Sequence, residues 1–406
     1  MNLHNRLLLS LAMFSIVLFT SHASAAELSE RQYRVLEKIQ SYLAEGQYTI
    51  AIEESQKAAD DWEDGLGLVL ILQARGQSHQ MLDRPEAALR EYERALAMRV
   101  LEGTRWSSLA ARAAQLHLMN EQTEAARALL LPALESDPGD GLEHSPAAYI
   151  LLAVSYQLDE LWGASLEYIR LAEQVADRLS DSVPDNWLTM RAAAEFQLED
   201  YAAAEVTMKR LVLRAPDNRN YWLQLAAAQQ FLDKPAAQLA TLELASQRGL
   251  LEQTPEQLLM IQLQASQGLP GRAARNLVSV IEDAEASAIV PENTDVDALL
   301  VAYQRQARNF SQAAATLVDS DSQSAAEAVQ LAMMDGDCEL ALQIADRHVR
   351  QLDGRAMLNA GQCALETGAT EAARVWLQRS ADEPGTADVA GQWLTYLSSL
   401  REAGLR

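Results

Sequence analysis

The stretch Pro184–Gly249 constrains this chain most, because it runs twice through the same cycle. Trp187, Leu188, Ala192 and Phe196 recur at helical spacing, and Asp200-Tyr201 interrupts them. Ala204, Met208 and Leu211 resume the spacing until Pro216-Asp217-Asn218 stops it. The cycle restarts with Trp222, Leu225 and Ala226, breaks at Asp233-Lys234-Pro235, and continues through Leu239, Leu242 and Ala245 to Gly249. Apolar residues three and four apart mark amphipathic helix, and proline or glycine clusters mark its ends. Each cycle is therefore a helical hairpin of about thirty-four residues. Two short helices cannot bury their apolar stripes alone, so such a hairpin must stack on its neighbours.

The same spacing resembles the tetratricopeptide repeat, whose pattern is W-x2-L-G-x2-Y, then A-x3-F and a closing proline. Trp222, Leu225 and Ala226 resemble the first half; Ala204, Met208, Leu211 and Pro216 resemble the second. The fold expected is all-α: a tetratricopeptide-like α-solenoid of about ten helical hairpins with a C-terminal capping helix.

The remaining hairpins can be followed by the alanines of their second helices. They are expected at Glu30–Ala59, Leu68–Ala97, Trp106–Glu135 and Ala147–Arg178, before the two central cycles. Thr254–Glu282, Asp295–Val318, Ala325–Val349 and Leu358–Ala381 come after them, and Val389–Glu402 is the cap. Gly76 is read as a point of close helix contact, with Ala88, Tyr92 and Ala95 facing inward. Pro85 sits in a first helical turn, where proline is tolerated. Asp137–Pro146 is expected to be a loop, since its Pro, Gly and Asp content opposes helix. Anchor alanines crowd together near Ala341, which predicts shortened C-terminal hairpins.

Met1–Ala26 reads as a targeting segment: Arg6, the apolar run Leu7–Phe19, and Ala23-Ser24-Ala25 as an A-x-A cleavage site. That run has thirteen residues, well short of the ~20 that span a bilayer. The expected domains are a signal peptide at 1–25, a solenoid at 27–282, an acidic linker or interruption at 283–294, and C-terminal hairpins with the cap at 295–406. The mature chain is expected in the periplasm, with no direct membrane insertion after the leader is removed. A retained anchor is the alternative.

Losing Arg6 leaves 32 basic against 57 acidic residues, a net charge of −25. Such a chain is repelled by phosphate backbones and anionic head groups, which excludes nucleic acid and membrane surfaces as partners. The acidic balance fits either a basic partner or a solvated outer face.

No constellation for catalysis emerges. His4, His22, His79, His117, His144 and His348 include no pair with metal-ligand spacing. His79 and His117 occupy a first-helix slot that suits a half-buried packing residue. Asp319-Ser320-Asp321 begins like a calcium loop, but Ser324 stands where the turn glycine belongs and Gln330 where the closing glutamate belongs. No catalytic residue, metal site or cofactor is expected; the chain is read as a non-enzymatic binder of a protein partner.

First helices of such stacks line a surface on which an extended peptide or partner helix can lie. The candidates there are Asn186, Asn220, Leu223 and Gln230, with Phe196, Ala227 and Phe231 nearby. The asparagines either grip a peptide backbone or cap their helices. Phe231 is read as a core residue. Cys338 and Cys363, the only two cysteines, are expected to pair, because an oxidising compartment and an even count favour a bridge. They lie on helices expected to be antiparallel neighbours, which makes a Cα separation of about 5–6 Å reasonable.

A closer resemblance rests on short motifs. Ala245-Ser246-Gln247-Arg248-Gly249-Leu250-Leu251, Gly268-Leu269-Pro270-Gly271-Arg272-Ala273-Ala274, Asp337-Cys338 and Gly361-Gln362-Cys363 look like periplasmic tetratricopeptide proteins that accompany TonB-type energy transduction. This resemblance implies an accessory role in TonB-dependent transport, with TonB-system components as partners. An assembly factor for secretins, cell-wall synthases or outer-membrane insertion is the alternative. An enzyme or ligand-binding protein with its site in the C-terminal part is a further one.

Overall fold

In the computed structural model of the chain, residues 28–63, 65–135, 144–251, 254–282, 295–320 and 322–402 are described. The leader, residues 137–143 of the expected loop and the 283–294 linker lie outside them.

Ten hairpin turns share one backbone device. The residue two positions before each second helix has positive φ: Gly46, Asp83, Glu121, Glu160, Glu199, Asp233, Gly268, Arg308, Gly336 and Gly368, with φ from 52° to 78°. The next residue donates its N–H to the carbonyl five residues back, as in Asp200 to Glu195 at 2.9 Å and Leu269 to Gln264 at 2.8 Å. This is the Schellman arrangement, which closes a helix by satisfying its last carbonyls. A left-handed residue followed at once by a new helix reverses the chain within two or three residues.

The first five hairpins pair α1 (Glu30–Ala44) with α2 (Tyr48–Asp61), α3 (Leu66–Met81) with α4 (Pro85–Ala97), α5 (Gly103–Met119) with α6 (Thr123–Glu135), α7 (Pro146–Leu158) with α8 (Trp162–Arg178), and α9 (Asp185–Gln197) with α10 (Tyr201–Arg214). The second five pair α11 (Arg219–Phe231) with α12 (Pro235–Gln247), α13 (Thr254–Ser266) with α14 (Pro270–Glu282), α15 (Val296–Gln306) with α16 (Phe310–Ser320), α17 (Ala325–Met334) with α18 (Cys338–Arg347), and α19 (Gly354–Glu366) with α20 (Thr370–Ala381). The last helix, α21 (Ala387–Glu402), packs on α20. Among the described residues every regular element is a helix. The chain divides into two compact units between Pro216 and Asp217, five hairpins in the first and five plus α21 in the second. Each unit is a tetratricopeptide-like α-solenoid.

Side-chain size explains the packing. Five residues after each left-handed turn stands a buried position: Ala51, Ala88, Ala126, Ser165, Ala204, Gln238, Ala273, Ala313, Ala341 and Ala373. A small side chain there lets the second helix lie close against the first. The anchor alanines of the sequence are these residues. Four positions further on, large groups fill the space, among them Tyr92, Leu130, Ile169, Met208, Leu242, Leu277 and Leu377. The largest of them meets the smallest partner: a Cβ on Gly76 would come within 2.7 Å of Tyr92 Cδ1, and one on Gly361 within 2.7 Å of Leu377 Cγ.

The hairpins expected from Glu30, Thr254 and Ala325 begin at those residues, and others start a few residues from expectation. α3 begins at Leu66 and α19 at Gly354, two and four residues earlier than expected. Pro146, expected at the end of a loop, opens α7. The spacing near Ala341 corresponds to α17 and α18, ten residues each, flanked by the 3₁₀ turns Ser322–Ser324 and Val349–Gln351.

Polar cross-links bind the two arms twelve residues apart in sequence. Thr207 donates to Glu195 at 2.7 Å, Thr241 to Gln229 at 2.7 Å, and Asn276 to Gln264 at 2.9 Å. Tyr156 and Tyr168 stack in the same register, with centroids 5.5 Å apart. Glu195, Gln229 and Gln264 are thus matched, as burial of a polar group requires.

Two substitutions test this packing with opposite signs. A left-handed conformation costs a non-glycine residue about 1 kcal/mol, so Glu199→Gly should raise stability by about 0.5–1 kcal/mol in urea unfolding. Gly76→Ala overpacks the contact with Tyr92 and should lower stability by about 1–3 kcal/mol.

Candidate functional site

α11 presents the residues singled out on its first-helix face. At 100° per residue, Trp222, Leu225, Ala226 and Gln229 point to one side and are buried. Asn220, Leu223, Gln224, Ala227, Gln230 and Phe231 fall within an arc of about 120° on the other side, exposed or half-exposed. This arc carries no charged residue, in a chain with 57 acidic and 33 basic ones. Phe231, read from sequence as core, is 61% exposed. It lies nine residues beyond Trp222, which turns it half a revolution away from the buried stripe.

Neither asparagine is a cap. Asn218 caps α11, its side chain accepting the Asn220 N–H at 3.1 Å, and Pro184 occupies the capping position of α9. Asn220 is exposed, whereas Asn186, second residue of α9, is half-buried. Asn186 and Phe196 belong to the first unit, and Asn220, Leu223 and Gln230 to the second. Gln230 accepts a long contact from Gln238, at 3.5 Å.

A second feature lies between α4, α5 and α6, and sequence reading had missed it. Leu96 and Ala97 of α4 face Ala125, Ala128 and Leu129 of α6 across a cleft of about 690 Å³, with Trp106 and His117 of α5 in it. Trp106 and His117 are eleven residues apart, three helical turns plus 20°, so they share one helix face about 16 Å long. That i, i+11 pairing of an indole with an imidazole was the available signal. His117 is buried, its Nδ1 2.7 Å from Gln122 Oε1 and its Nε2 3.1 Å from Glu93 Oε1. The Glu93 side chain is half-exposed.

The other described histidines do less. His79 is half-buried, and burial pushes its imidazole below the usual pKa, so the neutral ring is favoured. His144 meets Tyr149 edge-on at 6.5 Å. Buried charges are matched within each unit: Arg75 reaches Glu91 and Gln56, and Arg191 lies between Glu173 and Glu195 at 2.8 and 2.7 Å. Arg219 pairs with Glu256. Among the described residues no group of three or more His, Cys, Asp or Glu side chains is arranged to hold a metal ion, and no helix is long and apolar enough to cross a membrane.

Cys338, first residue of α18, and Cys363 of α19 are joined in a disulfide with Cα atoms 4.8 Å apart. The bridge sits inside an apolar cluster with Ala332, Ala341, Ala360 and Trp376. It ties the ten-residue helix α18 to the next hairpin.

No protein-family model matches the chain, and no curated relative matches it. Solved structures do. A tetratricopeptide repeat protein from Parabacteroides merdae ATCC 43184 aligns at 16% identity and TM-score 0.41, over 68% of this chain and 100% of its own. The C-terminal part of a tetratricopeptide repeat-containing protein from Cytophaga hutchinsonii aligns at 13% identity and TM-score 0.40, over 73% and 98%. MamA from Desulfovibrio magneticus RS-1, from residue 41 to its end, aligns at 15% identity and TM-score 0.39, over 47% and 98%.

The disulfide makes a direct prediction. It closes a loop across a sequence separation of 25, worth about 3 kcal/mol in the chain-entropy model. Reduction, or the double substitution of both cysteines by serine, should lower the free energy of unfolding by about that amount. Labelling the denatured, unreduced protein should find no reactive thiol, and two after reduction; two before reduction would refute the bridge.

Proposed function

We propose that this chain is a non-enzymatic adaptor that holds a protein partner, as extended peptide or helix, along the exposed first-helix face of α11. The uncharged arc of Asn220, Leu223, Gln224, Ala227, Gln230 and Phe231 carries this reading. Solvated faces of an acidic protein are ordinarily charged, whereas amide and apolar groups side by side suit a peptide: amides for its backbone, Leu223 and Phe231 for its side chains. The half-buried Asn186 of α9 offers an amide of the same kind in the first unit.

In this reading the protein works in the periplasm after losing residues 1–25, and serves TonB-type energy transduction as an accessory component. The leader-like Met1–Ala26 and the short motifs shared with such proteins support the reading.

Two experiments test it. Intact-mass measurement of an osmotic-shock fraction should find the chain beginning at Ala26 or Glu27; residues 1–25 retained in the membrane fraction would defeat the assignment. Capture from crosslinked envelope extracts should recover TonB-system proteins with the native chain. Leu223→Arg together with Asn220→Ala should reduce recovery about tenfold or more without changing the melting temperature, in line with the ~1.4 kcal/mol per decade of affinity. Recovery of secretin or cell-wall synthase components instead would replace the TonB assignment and leave the adaptor role standing.

A further inference from the structure

The cleft between α4, α5 and α6 has properties that packing alone does not require. Its walls are thinned by Ala97, Ala125 and Ala128, which leaves about 690 Å³ open along a face of α5. Its apolar surface is supplied by Leu96, Leu129 and Trp106. Trp106 is half-buried, so part of the indole remains open to solvent there. Tryptophan is among the side chains enriched at the energetic hot spots of protein interfaces.

The polar groups are equally specific. His117 is 7% exposed and holds one oxygen of Glu93 through Nε2, while Gln122 steadies the ring through Nδ1. Glu93 Oε2 has no hydrogen-bond or ion-pair partner among the described residues. A carboxylate fixed on one side and open on the other is a pre-oriented acceptor, and it binds a cation without the usual loss of side-chain freedom. Arg99 also lines the cleft, and no ion pair joins it to Glu93 among the described residues; the excess of 57 acidic over 33 basic residues still draws a basic segment toward the cleft.

We propose that this cleft is a second partner-binding site, distinct from the α11 face, and that it takes an extended peptide segment of a protein partner. The segment carries an aromatic or aliphatic side chain that packs on Trp106, Leu96 and Leu129. A lysine or arginine pairs with the free oxygen of Glu93. Trp106 and His117 lie about 16 Å apart along α5, so the apolar and basic residues are separated by about four or five positions of extended chain at ~3.3 Å each. The site is lined by two second helices with the intervening first helix between them, whereas the α11 arc lies on a first helix alone.

The test uses the full chain and three fluorescein-labelled nonapeptides in anisotropy titrations up to about 1 mM. One carries Phe and Lys five positions apart among Gly and Ser. The second replaces Lys by Glu, and the third replaces Phe by Ala. The Phe/Lys peptide should bind, and each of the others should bind about tenfold more weakly, or worse, as loss of one anchor implies. Ala128→Trp, which fills the cleft, should abolish binding, and Glu93→Lys should transfer the preference to the Phe/Glu peptide. Leu223→Arg on α11 should change nothing, which separates this proposal from the one above. Circular dichroism melts check folding; if Ala128→Trp fails to fold, the peptide preferences of native and Glu93→Lys protein decide alone. No binding of the Phe/Lys peptide, equal binding of all three, or binding that survives Ala128→Trp overturns the proposal. So does sedimentation showing a dimer that Ala128→Trp converts to monomer, because the occupant is then a second copy of this chain.

Discussion

The close approach of two helices at one small buried residue governs everything else in this structure. That residue stands five positions after a left-handed turn in every hairpin, nine times as alanine or serine and once, at Gln238, as glutamine. The turn sets where the second helix begins, and the small residue sets how near it comes to the first. Together they fix which residue of one arm meets which residue of the other. The buried cross-links at twelve-residue separation, such as Glu195 with Thr207 and Gln229 with Thr241, are consequences of that register. So is the exposed arc of α11: once Trp222, Leu225 and Ala226 are committed to the interior, the opposite side turns toward solvent.

Much of this was legible beforehand, and for a physical reason. Alanine at a close contact and proline or glycine at a reversal are dictated locally, so Ala88, Ala126, Ala204, Ala273 and Ala373 marked their hairpins. The turn residues were less legible. Glu121, Glu160 and Glu199 adopt left-handed backbone with no compositional sign of it, because the hydrogen bond that follows each turn compensates the strain. The asparagines were misread in one respect: a cap is defined by backbone geometry at the first turn, and Asn218 rather than Asn220 holds it. Phe231 was misread because an aromatic residue near a helix end was taken for core without following its rotation. The α4–α6 cleft depends on three elements at once, and no single stretch of sequence displays it.

Charge divides the molecule in a similar way. The few buried charges are held by specific partners, as Arg191 is by Glu173 and Glu195. Such pairs specify geometry more than they add stability, since removing ions from water costs nearly what the pairing returns. Most of the remaining acidic groups are solvated. Against that background, a helix face without any charge and a carboxylate held by a buried imidazole both stand out as surfaces shaped by something other than solubility.

The matched sizes at Gly76 with Tyr92 and at Gly361 with Leu377 reach further than packing. Ile39 with Ser55, Ala192 with Met208 and Val329 with Ala345 occupy the same register, all buried, with bulk on one arm offset by smallness on the other. At these pairs, enlarging the small member alone costs stability, and a matching reduction of the other relieves it. Such pairs let the hairpins diverge in sequence along correlated steps while keeping a common frame. Two chains that took different steps would each fold, yet exchanging a single arm between them would leave a void in one product and a collision in the other.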